Sequence, residues 1–339
     1  MIFFTNILVT GANGFIGSNL VKSLSEKGHN VNAMVLKGTN EEFIKNLHCN
    51  IVYGDVTKKE SLKEPLKNID LVYHLAAIPS TAWTKTILKV NYEGTKNIFE
   101  ESINARVKRF VFMSSLVVHG FKNINGADET TPLLKPRWYR RPYVKSKILC
   151  EQFLQENMDR IEIVIIRPNF MIFGPNDILM SSELISRIDE GKSMPLINHG
   201  KSKIGYVYVE NLVEGLILAG ISQKAAGQTF LITDNNPPYI TLSQFNEAIS
   251  RKLEKKYTKV NIPYFTAFPF VAILDFIYRL FLRNKFPKIS IYTLKVARTN
   301  LNFNSEKAKK EIGFTSKYSF KDSISRTIEW YFLYFKKGR

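Results

Sequence analysis

The chain has 339 residues, of which 45% are hydrophobic and 23% are charged, and this composition excludes a disordered, collagen-like or multispan membrane protein. The length corresponds to one large or two ordinary domains of roughly 100–200 residues each, and it can bury a substantial core without disulfides. The formal net charge is +18, and residues 251–339 carry 20 Lys and Arg against 6 Asp and Glu. This basic third favours an anionic neighbour such as a membrane surface, a nucleic acid or an acidic ligand, or it forms a solvated basic face.

The two cysteines, Cys49 and Cys150, are too few for a disulfide framework and lie in no metal-like cluster. The sequence therefore predicts no metal site and an intracellular, reducing compartment. The apolar run at 1–9 lacks a basic leader and a cleavage site and leads directly into a glycine motif. We interpret it as a first strand rather than a signal peptide and expect a cytoplasmic protein.

Short β-branched runs alternate with helix-period segments through the first 170 residues, a pattern typical of βαβ units. Several of these runs are almost wholly apolar, as strands covered on both faces are. The predicted fold class is therefore α/β, with a doubly wound parallel sheet. Strands are predicted at 6–10, 31–36, 50–53, 71–75, 109–113 and 162–166, and helices near 15–27, 59–67, 84–104 and 143–157.

After Pro168 the predicted elements become shorter, and Pro and Gly separate them more often. We predict a first domain over residues 1–170 and a smaller, mainly substrate-binding domain over 171–339. Strands predicted at 206–209 and 230–233 return, within 204–233, to the sheet of the first domain.

A glycine motif of Gly11, Gly14 and Gly17 lies between the first predicted strand and the helix after it. In this setting one glycine permits a tight turn, another lets the backbone approach a pyrophosphate, and a third lets helix and strand pack closely. The first amides of the helix then meet the phosphates. The motif predicts a dinucleotide site of Rossmann type, and its position between strand and helix makes a purely structural turn the weaker interpretation.

The second strand of such a fold carries the residue that contacts the adenosine ribose. Here it ends without Asp or Glu, and Lys37 follows. A lysine at this position favours NADP(H) over NAD(H), because it can bind the 2′-phosphate, unless the Lys37 side chain is simply solvated. Asp55, after the third strand, is placed either to meet the adenine or to cap a helix.

Tyr143 and Lys147 are four residues apart, so a helix places them on one face. A phenol has an ordinary pKa near ~10, and we expect the neighbouring ammonium to lower the pKa of Tyr143 so that it acts as general acid and base. Ser114 and Ser115 end the fifth strand at the carboxyl edge of the sheet, where ligands bind. Ser115 can hold a substrate oxygen beside Tyr143, although both serines can also cap the strand end.

With these residues in place, the chain resembles the extended short-chain dehydrogenase/reductase family, within the NAD-dependent epimerase/dehydratase superfamily, over nearly its whole length. The resemblance rests on the glycine motif and on the set Ser115, Tyr143 and Lys147. Further motifs that carry it are Gly54-Asp55-Val56, His74-Leu75-Ala76-Ala77, Asn91 before Gly94-Thr95, Arg167-Pro168-Asn169, Phe173-Gly174-Pro175, Tyr206 to Asn211 and Asn304 to Phe314.

The resemblance implies an NAD(P)-dependent oxidoreductase that moves a hydride to or from the nicotinamide, and it implies a homodimer. Ser115, Tyr143 and Lys147 would be catalytic, with Asn91 in support, and Lys147 would also bind the nicotinamide ribose. The implied cofactor-binding residues are Gly11, Asn13, Gly14, Phe15, Ile16, Gly17, Lys37, Asp55, Val56, Leu75, Ala76, Ala77, Tyr143, Lys147 and Pro168.

Two departures from the family pattern bear on specificity. The second strand lacks the usual acidic or arginine marker, which affects the choice between NAD and NADP. His119 stands where many members carry Tyr, which affects the substrate pocket.

Residues 260–282 are almost wholly apolar, with Asp275 and Arg279 as their only charges. A membrane span needs about 20 apolar residues and tolerates two ionised groups poorly, so we do not expect one. We predict a helix from Phe270 that either lies in an anionic membrane interface through 260–288, caps the substrate pocket or forms a dimer contact.

Such an apolar insert resembles the 3β-hydroxysteroid dehydrogenase and dihydroflavonol reductase branch more than the nucleotide-sugar branch. The resemblance implies an apolar small-molecule substrate, steroid-like or isoprenoid, and a secondary alcohol or ketone as the reacting group.

Three other interpretations remain open. A nucleotide-sugar epimerase or dehydratase uses the same catalytic set and needs cations for a diphosphate, for which Arg140, Arg141 and Arg298 are candidates. A non-catalytic cofactor sensor is opposed by the intact catalytic set. Binding to nucleic acid through the basic third lacks a zinc pattern or a helix-turn-helix signal, so we expect no specific nucleic-acid partner.

Overall fold

The computed structural model describes residues 6–79, 82–121, 124–135, 141–234, 237–287 and 289–337. The strands in chain order are β1 (Asn6–Thr10), β2 (Asn30–Val35), β3 (Asn50–Tyr53), β4 (Leu71–His74), β5 (Arg109–Met113), β6 (Ile124–Ala127), β7 (Glu162–Pro168), β8 (Met171–Phe173), β9 (Met194–Ile197), β10 (Tyr206–Tyr208), β11 (Thr229–Ile232), β12 (Lys259–Ile262) and β13 (Leu301–Phe303). The α-helices are α1 (Phe15–Glu26), α2 (Thr86–Leu88), α3 (Gly94–Asn104), α4 (Pro142–Gln155), α5 (Ser181–Asp189), α6 (Val209–Ile221), α7 (Leu242–Leu253), α8 (Tyr264–Leu280), α9 (Ile291–Arg298), α10 (Glu306–Ile312) and α11 (Phe320–Trp330).

Seven of the strands form one parallel sheet in the order β3-β2-β1-β4-β5-β7-β11. The direction of winding reverses between β1 and β4, and open α/β sheets bind ligands at such a point, beyond the carboxyl ends of the strands. The glycine motif follows β1 and the two serines follow β5, so the topology brings both to this edge. The predicted α/β class with a Rossmann-type sheet is confirmed.

The sheet is covered on both faces because successive side chains of each strand point to opposite sides. On one face, Val9 and Val111 pack with α1, α6 and α10. On the other face, Leu8 and Phe110 pack with α3 and α4. Helices from the second half of the chain therefore contribute to the same core as the glycine-motif helix.

A second core lies around Phe173, Tyr206, Phe245 and Ile328. The strands near it pair in parallel as two short sheets, β8 with β10 and β9 with β12, while β6 pairs with β13. The predicted return of 206–209 to the main sheet is therefore wrong. β10 pairs with β8 because the chain leaving β7 runs alongside it, and only β11 joins the main sheet, beside β7.

Three predicted helices differ from those observed. The segment 59–67 contains only a short 3-10 turn at Lys59–Leu62. The segment 84–104 is divided into α2 and α3 by a π-helical turn at Lys89–Glu93. The apolar helix α8 begins after Pro263 rather than at Phe270 and continues through Pro269.

Candidate active site and cofactor cleft

The glycine loop after β1 has the shape that a pyrophosphate requires. Gly11 has φ +65°, and a Cβ there would lie 2.9 Å from the Cα of Ala76, while a Cβ on Gly17 would lie 2.1 Å from the Gly11 carbonyl oxygen. Both positions therefore exclude any side chain. Helix α1 starts after Gly14 without a side-chain cap, so the amides of its first turn remain available for an anion.

The end of β4 is fixed against this loop by a buried histidine. The Thr10 hydroxyl accepts hydrogen bonds from the amides of Leu75 and Ala76, each at 3.1 Å, and contacts His74 Nδ1 at 2.8 Å. His74 Nε2 contacts the Thr95 hydroxyl at 3.0 Å. Burial, helped by the charge of Lys147, lowers the pKa of His74 to about 3. A neutral ring therefore holds the predicted cofactor segment Leu75–Ala77 in place, an arrangement that the motif alone did not indicate.

The segment after β2 is joined to the glycine loop by Asn13. Its amide donates to the Thr39 hydroxyl at 2.9 Å and to the Asn40 carbonyl at 2.8 Å. Lys37 is exposed at this edge. The carboxylate of Glu41 is hydrogen-bonded to the phenol of Tyr53, so it contacts β3 rather than the end of β2.

Asp55 lies in the turn after β3. Its Oδ1 accepts from the amide and the hydroxyl of Thr57 at 2.9 and 2.8 Å, so it closes a local turn. The 3-10 turn that follows has Lys58 at its N-terminus and no side-chain cap. Val56 is buried against Gly94. Pro168 ends β7 opposite Ile232 of β11, at the same carboxyl edge of the sheet.

Ser115 and Tyr143 lie together at that edge. Ser115 begins a short turn, where its hydroxyl accepts from the Val117 amide at 3.4 Å, and it also forms a hydrogen bond with the Tyr143 phenol. Tyr143 is placed by α4, which begins one residue earlier. Burial raises the pKa of Tyr143, and the hydrogen bond to Ser115 opposes that rise.

The expected lowering of the Tyr143 pKa by Lys147 is therefore wrong for the free enzyme. The Lys147 ammonium donates to the Met113 carbonyl at 2.6 Å and lies 4.8 Å from the centre of the Phe112 ring. Burial lowers the pKa of Lys147 to about 8, although Cys150 and Glu151 oppose this.

The neighbouring Ser114 has a separate role. Its hydroxyl donates to the fully buried carboxylate of Glu151. The same carboxylate pairs with the Arg167 guanidinium, from Nη2 at 2.6 Å and from Nε at 3.0 Å. Because successive residues of an extended strand point to opposite sides, Ser114 supports this ion pair while Ser115 contacts Tyr143.

Asn91 supports helix α4 from the π-helical turn. Its amide donates to the Ser146 hydroxyl at 3.0 Å, and that hydroxyl donates to the Tyr143 carbonyl at 2.7 Å. Its Oδ1 accepts from the Ile78 amide at 2.7 Å. These contacts position the backbone of α4 and the loop after Ala77 relative to each other.

An aromatic wall that the sequence analysis did not identify adjoins Tyr143. Phe121, Phe170 and Tyr292 contact one another with ring centres 5.1 to 6.1 Å apart, and Phe170, Tyr292 and Tyr143 pack in one apolar cluster. Phe170 lies two residues beyond the Arg167-Pro168 motif, which is a signal for it. Tyr292 lies 149 residues after Tyr143 and has no such signal.

His119 is a buried neighbour of this region. Arg167 Nη1 lies 3.3 Å from His119 Nε2, and His119 Nδ1 lies 3.3 Å from the Pro132 carbonyl. Burial and the charge of Arg167 lower the pKa of His119 to about 4. The ring is therefore neutral at physiological pH and fills the place of the usual tyrosine as a packed, hydrogen-bonded group.

Comparison with known proteins agrees with this geometry. Residues 7–232 match the family model described as the NAD dependent epimerase/dehydratase family. The chain belongs to the NAD dependent epimerase/dehydratase family. It is 30% identical over 334 residues to the Mus musculus sterol-4-alpha-carboxylate 3-dehydrogenase, decarboxylating, covering 95% of this chain and 89% of that protein.

A second relative in this family is the 3 beta-hydroxysteroid dehydrogenase/Delta 5→4-isomerase of Mycobacterium tuberculosis, 28% identical over 349 residues, with 98% of this chain and 91% of that protein covered. Among solved structures, gox2253 superposes with a TM-score of 0.80 at 25% identity and covers 97% of this chain and 98% of its own. The resemblance to the extended short-chain dehydrogenase/reductases is confirmed, and the chain is an NAD-dependent oxidoreductase of that type.

The residues of the cleft fit the dinucleotide that this family uses, because two glycines of the loop exclude any side chain and the helix that follows has no side-chain cap. No group of His, Cys, Asp or Glu in the described parts of the chain is arranged to hold a metal ion.

Proposed function

We propose that this enzyme interconverts a secondary alcohol and a ketone on an apolar, steroid-like or isoprenoid substrate. The observation that carries the proposal is the Tyr143 phenol, hydrogen-bonded to Ser115 and packed against the aromatic wall of Phe170 and Tyr292. Aromatic side chains bury a large apolar surface and supply no charge for a diphosphate. The names of the two curated relatives given above, both steroid or sterol dehydrogenases, support the same substrate class.

In the proposed reaction, the Ser115 hydroxyl holds the substrate oxygen, and the Tyr143 phenol gives or takes the proton on that oxygen. The bound nicotinamide supplies or accepts the hydride. Because burial keeps Tyr143 protonated in the free enzyme, the phenol is ready to donate to a ketone oxygen. Asn91 and Ser146 hold the backbone of Tyr143 so that the phenol remains beside Ser115.

The test is Tyr143→Phe, which removes only the phenolic oxygen. We expect kcat to fall about 10²- to 10⁴-fold, the usual contribution of a positioned acid and base, while the dissociation constant for the cofactor changes little. Tyr334→Phe, at an exposed tyrosine near the end of the chain, is the matched control. An unchanged kcat in Tyr143→Phe would contradict the proposed role.

The nucleotide-sugar alternative has less support, because two of its three candidate cations have other partners. Arg141 is paired with Asp275, and the Arg298 guanidinium lies 4.3 Å from the centre of the Tyr264 ring. Arg140 lies outside the described residues. A thermal-shift panel of UDP, GDP, dTDP and their sugars, with cofactor present, tests this alternative, since saturation at 100 times Kd stabilises by about 2.7 kcal/mol. A shift with a nucleotide sugar would favour it.

We propose NADP(H) as the preferred cofactor. Among the described residues from Leu36 to Asn40, directly after β2, there is no acidic side chain to meet a ribose hydroxyl, and Lys37 is exposed there. Glu41, the first acidic residue after β2 along the chain, is hydrogen-bonded to Tyr53.

Lys37→Glu tests the cofactor choice. We expect the ratio of NADP⁺ to NAD⁺ affinity to fall at least tenfold, because a 2′-phosphate loses a cation and meets a like charge. Lys224→Glu, an equal change of charge at an exposed position beyond α6, is the control. Equal loss of affinity for both cofactors, or no change, would refute the role of Lys37.

We also propose that α8 contacts an anionic membrane surface. Phe265, Phe270, Ile273 and Phe276 of this helix are 57 to 80% exposed. Between residues 255 and 305 the one acidic residue is Asp275, which is buried, whereas Lys and Arg flank the helix on both sides. An exposed apolar face flanked by cations favours an interfacial position on anionic lipid. No described helix is both long and apolar enough to cross a bilayer.

Flotation with vesicles containing phosphatidylglycerol tests the membrane contact. We expect the enzyme to float at low salt, and Phe270→Ser to weaken binding about tenfold or more, since burying a Phe side chain is worth about 1.5–3 kcal/mol. Leu179→Ser removes an equally exposed apolar side chain from another segment of the chain, between β8 and α5, and is the control. Wild-type protein that remains at the bottom of the gradient would refute the contact.

We keep a cytoplasmic homodimer as part of the proposal, on the family resemblance. Light scattering measures the mass directly, and a value near that of one chain would refute the dimer.

A further inference from the structure

Helix α8 contacts the rest of the molecule through a narrow strip. Its buried residues are Tyr264, Val271 and Asp275. At 100° per residue these three lie on one side, opposite the exposed Ile273 and Leu280. Tyr264 and Val271 pack in a small cluster with Leu294 of α9, and the Tyr264 amide donates to Asn198 Oδ1 at 3.0 Å. Asp275 is the buried charged residue of the helix.

Asp275 is held by groups from two distant parts of the chain. Arg141 Nη2 donates to both of its carboxylate oxygens, and the indole of Trp83 donates to Oδ1 at 3.3 Å. The Asp275 and Arg141 side chains are only 5% and 8% exposed. A pair buried this deeply specifies a geometry more than it adds stability, and loss of one partner leaves an uncompensated charge.

Trp83 contacts α8 at more than one point. Its ring centre lies 4.7 Å from the Arg141 guanidinium carbon and 5.3 Å from that of Arg279. Its backbone amide donates to the Arg283 carbonyl, just beyond α8, at 3.1 Å. The segment after β4 is therefore fixed to both α8 and the turn that follows it.

Arg141 in turn belongs to the start of the catalytic helix. It is the residue before α4, its carbonyl accepts from the Lys145 amide at 3.0 Å, and Tyr143 is two residues further on. Its guanidinium also lies 6.0 Å from the ring centre of Tyr292, a member of the aromatic wall. The ion pair between Asp275 and Arg141 therefore connects α8 directly to the segment that positions the Tyr143 phenol.

We propose that Asp275, Arg141 and Trp83 form a clasp that orients the lipid-facing helix α8 over the active site, so that an apolar alcohol reaches Tyr143 directly from the bilayer. The inference rests on the reaction and the membrane contact proposed above. An attachment made only of apolar contacts lets the helix rotate, whereas the buried ion pair fixes which face of α8 meets the lipid and which meets α4.

The experiment compares two deliveries of one substrate. A 3β-hydroxysterol is presented either in phosphatidylglycerol and phosphatidylcholine vesicles or as a cyclodextrin complex in water. The variants are Asp275→Asn and the double replacement Arg141→Met with Asp275→Leu, which leaves no unpaired buried charge if the single variant does not fold. Arg160→Met with Glu100→Leu removes an ion pair remote from α8 and is the control.

We expect the clasp variants to lose tenfold or more in turnover from vesicles and less than twofold from cyclodextrin, with flotation unchanged. An equal loss from both sources would overturn the proposal, because the pair would then merely support Tyr143. Unchanged turnover from vesicles would overturn it as well.

A second measurement does not depend on the substrate. Amide deuterium exchange is followed in residues 82–87 and 142–147 with and without vesicles. We expect vesicles to slow exchange in the wild type and to have no effect in the double variant. A wild type that binds vesicles without this change would overturn the clasp. Failure of the proposed reaction is visible separately, as an inactive wild type whose exchange still responds.

Discussion

At the scale of single residues, two adjacent serines show what the sequence could and could not predict. The motif indicated that Ser114 and Ser115 end β5 at the ligand edge, and both functional and capping roles were open. Their division of labour depends on Glu151 and Arg167, which lie 36 or more residues further along the chain. The local sequence predicts that a hydroxyl lies at the edge of the sheet. Which of the two hydroxyls faces the Tyr143 phenol depends on how helix α4 packs.

This division predicts opposite effects for the two serines. Ser115→Ala is expected to lower kcat about 10²-fold, as loss of a positioned donor does, with little change in the unfolding free energy. Ser114→Ala is expected to lower the unfolding free energy by about 1.5–3 kcal/mol, because a buried carboxylate loses a donor. Steady-state kinetics and urea unfolding measure both. A large kcat loss confined to Ser114→Ala would contradict the assignment.

The two buried histidines predict a loss of stability in acid. His119 has an ordinary pKa of 6.5 that is lowered to about 4 in the fold. Below pH 6.5 the ring is therefore protonated in the unfolded chain but stays neutral in the native state. The stability that the neutral ring contributes is complete above pH 6.5 and is lost as the pH falls towards 4. From pH 7 to 5 the loss is about 2 kcal/mol.

His119→Asn keeps a donor and an acceptor but does not titrate. We expect urea unfolding of this variant to lose about 2 kcal/mol less than the wild type between pH 7 and 5, whatever its absolute stability. Identical pH profiles for the two proteins would show that His119 is not the group responsible.

At the scale of elements, apolar runs predicted the strands of the main sheet well, because a strand buried on both faces needs no long-range information. Helices were harder. The interruption between α2 and α3 arises where Asn91 bonds across to Ile78 and Ser146, and those partners are not visible in the local periodicity. The three-residue strand β10 is too short to indicate its partner β8 from sequence.

The junction of β1 and α1 gives a prediction at this scale. Gly17→Ala places a Cβ 2.1 Å from the Gly11 carbonyl oxygen, so either α1 or the loop must move. We expect a loss of measurable cofactor binding by calorimetry. Gly28→Ala is the control, because it has positive φ with no atom within 4 Å and should cost about 1 kcal/mol of stability without affecting the cofactor. Unimpaired binding by Gly17→Ala would contradict the proposed role of the loop.

At the scale of the whole molecule, helices of the second predicted domain complete the core of the first. Ala308 and Ile312 of α10, together with Leu216 of α6, pack on the same sheet face as Val9. The buried Arg109 guanidinium donates to the carbonyls of Gly220 and Ser222, each at 2.7 Å, at the end of α6. The boundary at residue 170 was predicted from the shorter elements and the more frequent Pro and Gly that follow it. These features do not indicate which face of the sheet the later helices cover.

A fragment of residues 1–170 is therefore expected not to fold, since it lacks β11, α6 and α10 and exposes the part of the sheet that α6 and α10 cover. Circular dichroism of the fragment should show no cooperative thermal transition, whereas the full chain should melt in one. A fragment that melts cooperatively and binds cofactor would show instead that the first domain is independent.

The labelling rate of the Cys150 thiol can report how often helix α4 opens. Cys150 is buried in α4, donates to the Asn91 carbonyl at 3.2 Å, and has its pKa raised to about 11 by burial. A thiol without thiolate character does not react with a maleimide. Cys49 is less buried than Cys150, although burial raises the pKa of its thiol as well. In the native enzyme Cys49 should therefore be labelled first, and the rate of the second label then measures how often α4 opens away from the sheet.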